Sequence, residues 1–361
     1  MKEQLEIFTR INSNGQEIMK FTLPWASGEI PQVTIKNNFL DTTIDCFLAA
    51  QTGRLSNGIT DVRVNRKTLE VECSAFAINA PYVLSINGTE YTGADVKTIH
   101  TEWVDLFEAH ESGEVMYRLY SPAGVQGKRP LILFLHGGGE SGFDNIRQLT
   151  GCFGPAYLAE TYRDCYVMAP QAPGHVPTED ELKTFLAQTY AASDQSTEEG
   201  WCRRYLSQVC DIIREMIADG RVDGDRVYVT GLSMGGAGTI RAMNIASDLF
   251  AAAVPCCPSM TPETFRILSN MTHQKVWVAA SYIDHTLYRH KYLVDAVMKL
   301  KDDGNADAHL TLYSPEELQA YGIGIIEDMP LKALFGWNHM CWVPTYHNEH
   351  GIMSWLLNQH K

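Results

Sequence analysis

Thr230-Gly231-Leu232-Ser233-Met234-Gly235-Gly236-Ala237-Gly238 follows directly on the apolar run Arg226-Val227-Tyr228-Val229-Thr230 and opens an apolar stretch that continues through Met243. The pattern G-x-S-x-G between a strand and a helix describes one sharp turn. Such a turn forces the central serine into a strained backbone, lifts its hydroxyl clear of the sheet, and tolerates only small flanking residues. Gly231 and Gly235 meet that need. Ser233 is therefore read as a nucleophile.

A serine hydroxyl is a poor nucleophile near neutral pH and needs a histidine base that is itself oriented by a carboxylate. When the nucleophile sits on a strand-to-helix turn, these partners follow in the order Asp or Glu, then His, each after a later strand. Lys275 to Ala280 reads as such a strand, and Asp284 lies just beyond it. His309 to Tyr313 reads as another. After it comes Gly336-Trp337-Asn338-His339-Met340-Cys341-Trp342, which places His339 on a glycine-initiated loop before a final helix from about Gly351. The rivals are less well placed: His285 adjoins the acid, His347 and His350 lie near the final helix, Asp302, Asp303 and Asp307 occupy a polar turn, and Glu316 and Glu317 begin a helix.

Acyl transfer also needs donors for the oxyanion of the tetrahedral intermediate. Leu131 to Leu135 is a continuous apolar run, as in a strand buried on both faces, and it ends in His136-Gly137-Gly138-Gly139. The expected donors are the N–H groups of Met234 and Gly138, with Gly137 competing. His136 is read as a brace for the loop. Further strands are expected at Cys165 to Pro170 and Ala251 to Pro255. Helices are expected at Leu206 to Ile217, where apolar residues recur every three or four positions, and at Tyr292 to Leu300. Strands alternating with helices predict a mostly parallel sheet covered on both faces.

The first hundred residues read differently. Phe21 to Leu23, Gln32 to Ile35, Ile44 to Leu48, Asp61 to Val64, Thr68 to Cys73 and Tyr82 to Ile86 are short, partly alternating segments. Gly, Asn, Ser and Pro separate them, with Asn57-Gly58 and Asn87-Gly88 as turn signals. The expectation is a small all-β sandwich over residues 1–105 and an α/β domain over 106–361. Two polar connections, Gly174 to Gly200 and Ser314 to Gly336, are long enough to border a substrate entrance or to be solvated insertions.

From about Val115 onward the chain resembles the α/β-hydrolase family of bacterial carboxylesterases related to feruloyl esterases and polyhydroxybutyrate depolymerases, and more distantly prolyl oligopeptidase catalytic domains. The matching pieces are Leu135 to Gly142 with Asp144, Asn145 and Gln148, then Ala169-Pro170-Gln171, then Val222-Asp223 through Gly236, then His339 with Trp342. The family commonly has His-Gly before its acid, where this chain has Ala280-Ser281-Tyr282-Ile283. The resemblance implies an α/β-hydrolase fold and a serine esterase, with Glu140 and Gln171 as candidate substrate contacts. Trp201, Trp337 and Trp342 fall near expected mouth loops, which makes Trp201 and Trp342 further candidate contacts. Some esterases of this kind carry an N-terminal immunoglobulin-like domain, which would suit residues 1–105. No metal or organic cofactor is implied.

Composition narrows the classes. The 361 residues carry 29 Lys+Arg against 43 Asp+Glu, a formal net charge of −14. An acidic chain opposes binding to phosphate backbones, so nucleic acid is set aside. No apolar run is long enough to span a bilayer, and the first ten residues lack a secretory h-region. Nine cysteines, odd in number and without paired zinc spacing, read as reduced buried thiols. The expected protein is cytoplasmic, acts on a small-molecule ester, and could pair with a second copy. A serine peptidase using the same triad is the alternative, and a non-catalytic binding protein on the same fold is a third.

Overall fold

The computed structural model describes residues 3–13, 15–37, 59–124, 127–174, 200–282, 284, 289–323 and 338–361. They divide into two compact units, Met1–Asp105 and Leu106–Lys361. The strand expected at Ile44 to Leu48, the Asn57-Gly58 turn, His285, Trp337 and most of the two long polar connections lie outside the described residues.

The first unit contains β1 (Leu5–Asn12), β2 (Gly15–Pro24), β3 (Val33–Asn37), β4 (Ile59–Asn65), β5 (Thr68–Ala77), β6 (Tyr82–Ile86), β7 (Thr89–Tyr91) and β8 (Val96–Thr101). They form a five-stranded sheet ordered β4-β5-β2-β1-β8 and a three-stranded sheet ordered β3-β6-β7. In the larger sheet only β1 and β8 pair in parallel. Alternate residues face inward along β5 (Leu69, Val71, Cys73, Ala75) and β6 (Tyr82, Leu84, Ile86), as the two-residue period of a strand requires. Side chains of both sheets share one core, with Leu5, Ile7, Phe21 and Val71 meeting Leu84, Ile86 and Tyr91. The unit is thus a β-sandwich. Asn87 and Gly88 both adopt positive φ and turn β6 into β7, as an Asn-Gly hairpin loop demands. Strands β1 and β8 escape the sequence reading because β1 shifts register between Phe8 and Thr9 and β8 carries Lys97, Thr98 and His100 among its apolar residues. Pairing, not composition, holds them.

The second unit contains β9 (Phe107–Ser112), β10 (Val115–Tyr120), β11 (Arg129–Leu135), β12 (Tyr166–Pro170), β13 (Val222–Leu232), β14 (Ala252–Cys256), β15 (Val276–Ser281) and β16 (Ala308–Tyr313). They form one sheet ordered β16-β15-β14-β13-β11-β12-β10-β9. From β12 to β16 every pairing is parallel, and β10 runs antiparallel to both β12 and β9. Strands β11 and β14 are buried almost end to end, which explains their unbroken apolar sequences. The edge hairpin β9–β10 carries Glu108, His110 and Glu111 and has no comparable run to announce it.

Helix Arg203–Ala218 buries Tyr205, Leu206, Val209, Cys210, Ile212, Ile213 and Met216 along one face, and each large aliphatic among them contributes roughly 1.5–3 kcal/mol by leaving water. Helices Met234–Ile245, Pro262–Leu268, Arg289–Asp302, Trp342–Tyr346 and Ile352–Leu357 follow later strands. All eight described cysteines are buried, and none of them forms a disulfide. Among the described residues no helix is long and apolar enough to cross a membrane.

Candidate active site

Strand β13 ends at Leu232, and Ser233 stands between it and helix Met234–Ile245 with φ 56° and ψ −114°. Positive φ is costly for a residue with a Cβ and persists only where surroundings hold it. Here the Ser233 N–H donates to the Cys256 carbonyl at 3.0 Å, and the Ser233 carbonyl accepts from Ser259 N–H at 3.1 Å. Close packing explains the flanking glycines. A Cβ on Gly231 would lie 2.5 Å from the Leu135 carbonyl oxygen, and one on Gly235 would overlap that same oxygen. The side chain of Ser233 does not cap its own helix and the residue is half-buried.

Asp284 follows β15 and is buried. His339 Nδ1 lies 2.9 and 3.0 Å from its two carboxylate oxygens. Burial opposes charge on the imidazole, but the fields of Asp284 and Cys257 outweigh it and raise His339 to about 9. The structure thus brings together the base and acid expected from sequence order. The rival histidines are engaged elsewhere: His347 packs against Phe153, Tyr157 and Tyr321, and His350 pairs with Glu317 at 2.7 Å.

Beyond β11, Gly138–Glu140 forms a single 3₁₀ turn. Gly138 is its first residue, as Met234 is the first of its helix, and first-turn N–H groups have no intrahelical acceptor. Gly137 stands one residue before the turn, with Glu140 Oε2 packed close to its Cα. His136 is fully buried. Its Nδ1 is 2.6 Å from the Gly137 carbonyl and its Nε2 accepts from Ala172 N–H at 2.8 Å. Burial lowers its pKa to about 4, so it is a neutral brace and not a base.

The candidate substrate contacts divide. Trp201 has no exposed surface; its Nε1–H donates to the His136 carbonyl at 2.9 Å and its ring covers Gly238. It belongs to the core, which corrects the expectation of a mouth residue. Gln171 is also buried. Its amide donates to the Glu140 carbonyl (3.1 Å) and to Asp144 Oδ1 (2.8 Å) and accepts from Asn145 N–H (2.6 Å). It ties down the loop after β11 and touches no open space. Glu140 turns inward as well, against Gly137 and Gly151. Trp342 keeps partial exposure and meets the His339 ring edge-on at 5.6 Å. Sequence reading passed over Cys257, whose buried thiol lies within the field of His339. Its signal was its place one residue past β14, at the sheet edge where the other functional loops emerge.

Glu140 makes a testable stability term. Burial raises its pKa from 4.5 to about 7 against the opposing pull of backbone N–H groups and Arg147. The folded chain keeps a proton that the unfolded chain releases, so this contribution is complete below about pH 4.5 and is lost as pH rises through about 7. Glu140→Gln cannot ionise. Its melting temperature relative to wild type should therefore be higher at pH 8 than at pH 5, by about 4 °C. A difference independent of pH would refute the inward, protonated carboxyl.

A sheet of this order, with a strained serine turn after β13 and an Asp–His pair after β15 and β16, defines a class. A sequence profile described as the alpha/beta hydrolase family matches residues 132–340, and the chain belongs to that family. A solved structure described as a thermostable esterase is 23% identical, covering 99% of this chain and all of that one, with a TM-score of 0.69; at that identity the likeness is one of fold. Weaker similarity extends to S-formylglutathione hydrolase (FrmB) from Staphylococcus aureus (12% identity, 70% of this chain, 95% of that, TM-score 0.44). A puromycin-hydrolyzing peptidase from Mycobacterium tuberculosis is similar at 13% identity (78% of this chain, 44% of that, TM-score 0.46). No curated protein sequence matches the chain.

Proposed function

We propose that the chain hydrolyses carboxylic esters of small molecules through an acyl-enzyme on Ser233. Ser233 Oγ attacks the ester carbonyl while His339 Nε2 takes its proton and then delivers it to the departing alkoxide. Asp284 holds His339 Nδ1–H and stabilises the imidazolium. The N–H groups of Met234 and Gly138 receive the oxyanion, with Gly137 as the competing donor to Gly138. Water, activated by the same histidine, releases the acid. Residues 106–361 are the catalytic domain in this reading, and residues 1–105 an immunoglobulin-like sandwich.

The observation that carries the proposal is the Asp284–His339 pair at 2.9 Å, on the loops beyond the sheet that also bears the strained serine. The family supports hydrolysis in general; the ester is chosen because the chain resembles carboxylesterases more nearly than prolyl oligopeptidase catalytic domains and has no blade-spaced repeat.

A fluorophosphonate probe, with p-nitrophenyl acetate turnover followed in parallel, tests it. One adduct per chain should appear on the peptide containing Ser233, and turnover should fall in proportion. No adduct would overturn the mechanism, and faster turnover of an aminoacyl p-nitroanilide than of the ester would replace esterase by peptidase.

A further inference from the structure

The two oxyanion donors come from different segments, Met234 from the turn after β13 and Gly138 from the turn after β11, so their separation depends on what packs between those turns. The pairing of β11 with β13 ends at Leu135 and Gly231. Past that point Gly137 lies against Leu232, the residue before the nucleophile. A Cβ on Gly137 would lie 2.8 Å from Leu232 Cδ1 and 3.1 Å from Glu140 Oε2. The Glu140 carboxyl therefore closes over Gly137 beside Leu232. Its stem is set against Gly151, where a Cβ would lie 2.6 Å from Glu140 Cγ and 3.1 Å from Oε1. Glycine at both positions is what admits the side chain.

Glu140 is anchored through its main chain as well. Its carbonyl accepts from Gln171 Nε2 at 3.1 Å. Its N–H donates to the Gly137 carbonyl at 3.4 Å, an oxygen that His136 Nδ1 also meets at 2.6 Å. Yet the side chain is only 14% exposed, and its Oε2 is buried with no hydrogen-bond partner. An orphaned buried oxygen is costly and calls for a reason.

We propose that Glu140 is a positioning residue for the oxyanion donor: its side chain is a strut from Gly151 to Gly137 that fixes the Gly137–Gly138 peptide against Leu232, and with it the N–H that meets the oxyanion. This rests on the proposed serine mechanism, and it holds whether Gly138 or Gly137 donates. At Gly138 nothing lies within 4 Å of a Cβ, so the donor's direction has to be fixed through its neighbour.

The strut works only while neutral. The groups facing the carboxyl are His136, whose Nδ1 is 4.0 Å from Oε2, the Cys152 thiol, and Arg147, itself paired with Asp144 at 3.5 Å. Burial keeps His136 uncharged and the Cys152 thiol protonated. It also outweighs the pull of Arg147, so Glu140 holds its proton up to about pH 7. Above that, an ionised Oε2 without a donor has to reach water, and Gly137 moves with it.

The experiment measures kcat and KM on p-nitrophenyl acetate for wild type, Glu140→Gln, Glu140→Ala and Gly151→Ala, each normalised to the fluorophosphonate adduct formed at completion. At pH 6 both alanine variants should lose kcat by about 10- to 100-fold, short of the full loss of a donor, with KM within about twofold of wild type. Glu140→Gln keeps the length of the strut and should stay within about threefold. From pH 6 to 9 the ratio of Glu140→Gln to wild-type kcat should climb by about tenfold or more, because both share the His339 titration and only wild type loses a neutral strut.

Wild-type kcat per adduct in the alanine variants overturns the proposal. So does a flat ratio, which can be measured even if neither alanine variant folds. A role in stability alone would lower the yield of adduct and the melting temperature while leaving kcat per adduct and the ratio unmoved. If wild type itself forms no adduct at Ser233, the parent mechanism fails before Glu140 is changed.

Discussion

Ser233→Ala should lower the turnover of p-nitrophenyl acetate by a factor on the order of 10⁴ to 10⁶ while leaving the fold intact. The large factor follows because nucleophile, base and acid act as one unit; what survives is the assistance of the oxyanion donors and substrate binding alone. The intact fold follows from the local backbone. Alanine carries the same Cβ as serine, so the cost of φ 56° is already met, and the bonds from Ser233 N–H to Cys256 and from Ser259 N–H to the Ser233 carbonyl involve only the main chain. Steady-state rates with matched circular dichroism and melting curves check this. Retention of a tenth of the activity by a folded variant would remove Ser233 from the mechanism.

Gly235→Ala should fail for the opposite reason. The added methyl would overlap the Leu135 carbonyl oxygen and lie 2.5 Å from that of His136. Both obstacles are backbone, so no side-chain rotation relieves them. The helix must back away from β11, at a cost on the order of 3 kcal/mol, or about 6–12 °C in melting temperature, with hydrolysis lost because the His136–Gly138 loop moves too. Gly139→Ala is the control: nothing lies within 4 Å of a Cβ there, and its melting temperature should match wild type. Equal melting of Gly235→Ala and wild type would contradict the tight crossing of helix and strand.

The sequence made the serine turn legible because its constraint is local: a strand, a tight turn and a helix each leave marks within a few residues of Ser233. Asp284 and His339 were legible through order along the chain, since each had to follow a particular strand. What could not be read were properties that arise only when distant segments meet. Trp201 looked like a mouth residue because it flanks a loop, and Gln171 like a substrate contact through the family resemblance, yet one covers Gly238 and the other knits Glu140, Asp144 and Asn145 together. Neither contact has a sequence signature. Cys257 resembled any buried thiol until the fold brought it within the field of His339. In the sandwich, β8 becomes visible as a strand only through its parallel pairing with β1, some ninety residues earlier.

The order β16-β15-β14-β13-β11-β12-β10-β9 has a bearing on how such a chain comes into being. Gly138, Ser233, Cys257, Asp284 and His339 leave the sheet from different strands, and the first and last are about two hundred positions apart. No fragment that ends before the final strand and its loop holds both the base and the nucleophile. Parallel pairings close long loops before they gain contacts, which makes them slow to form. Under the proposed mechanism a nascent chain is therefore chemically silent until the loop bearing His339 has docked.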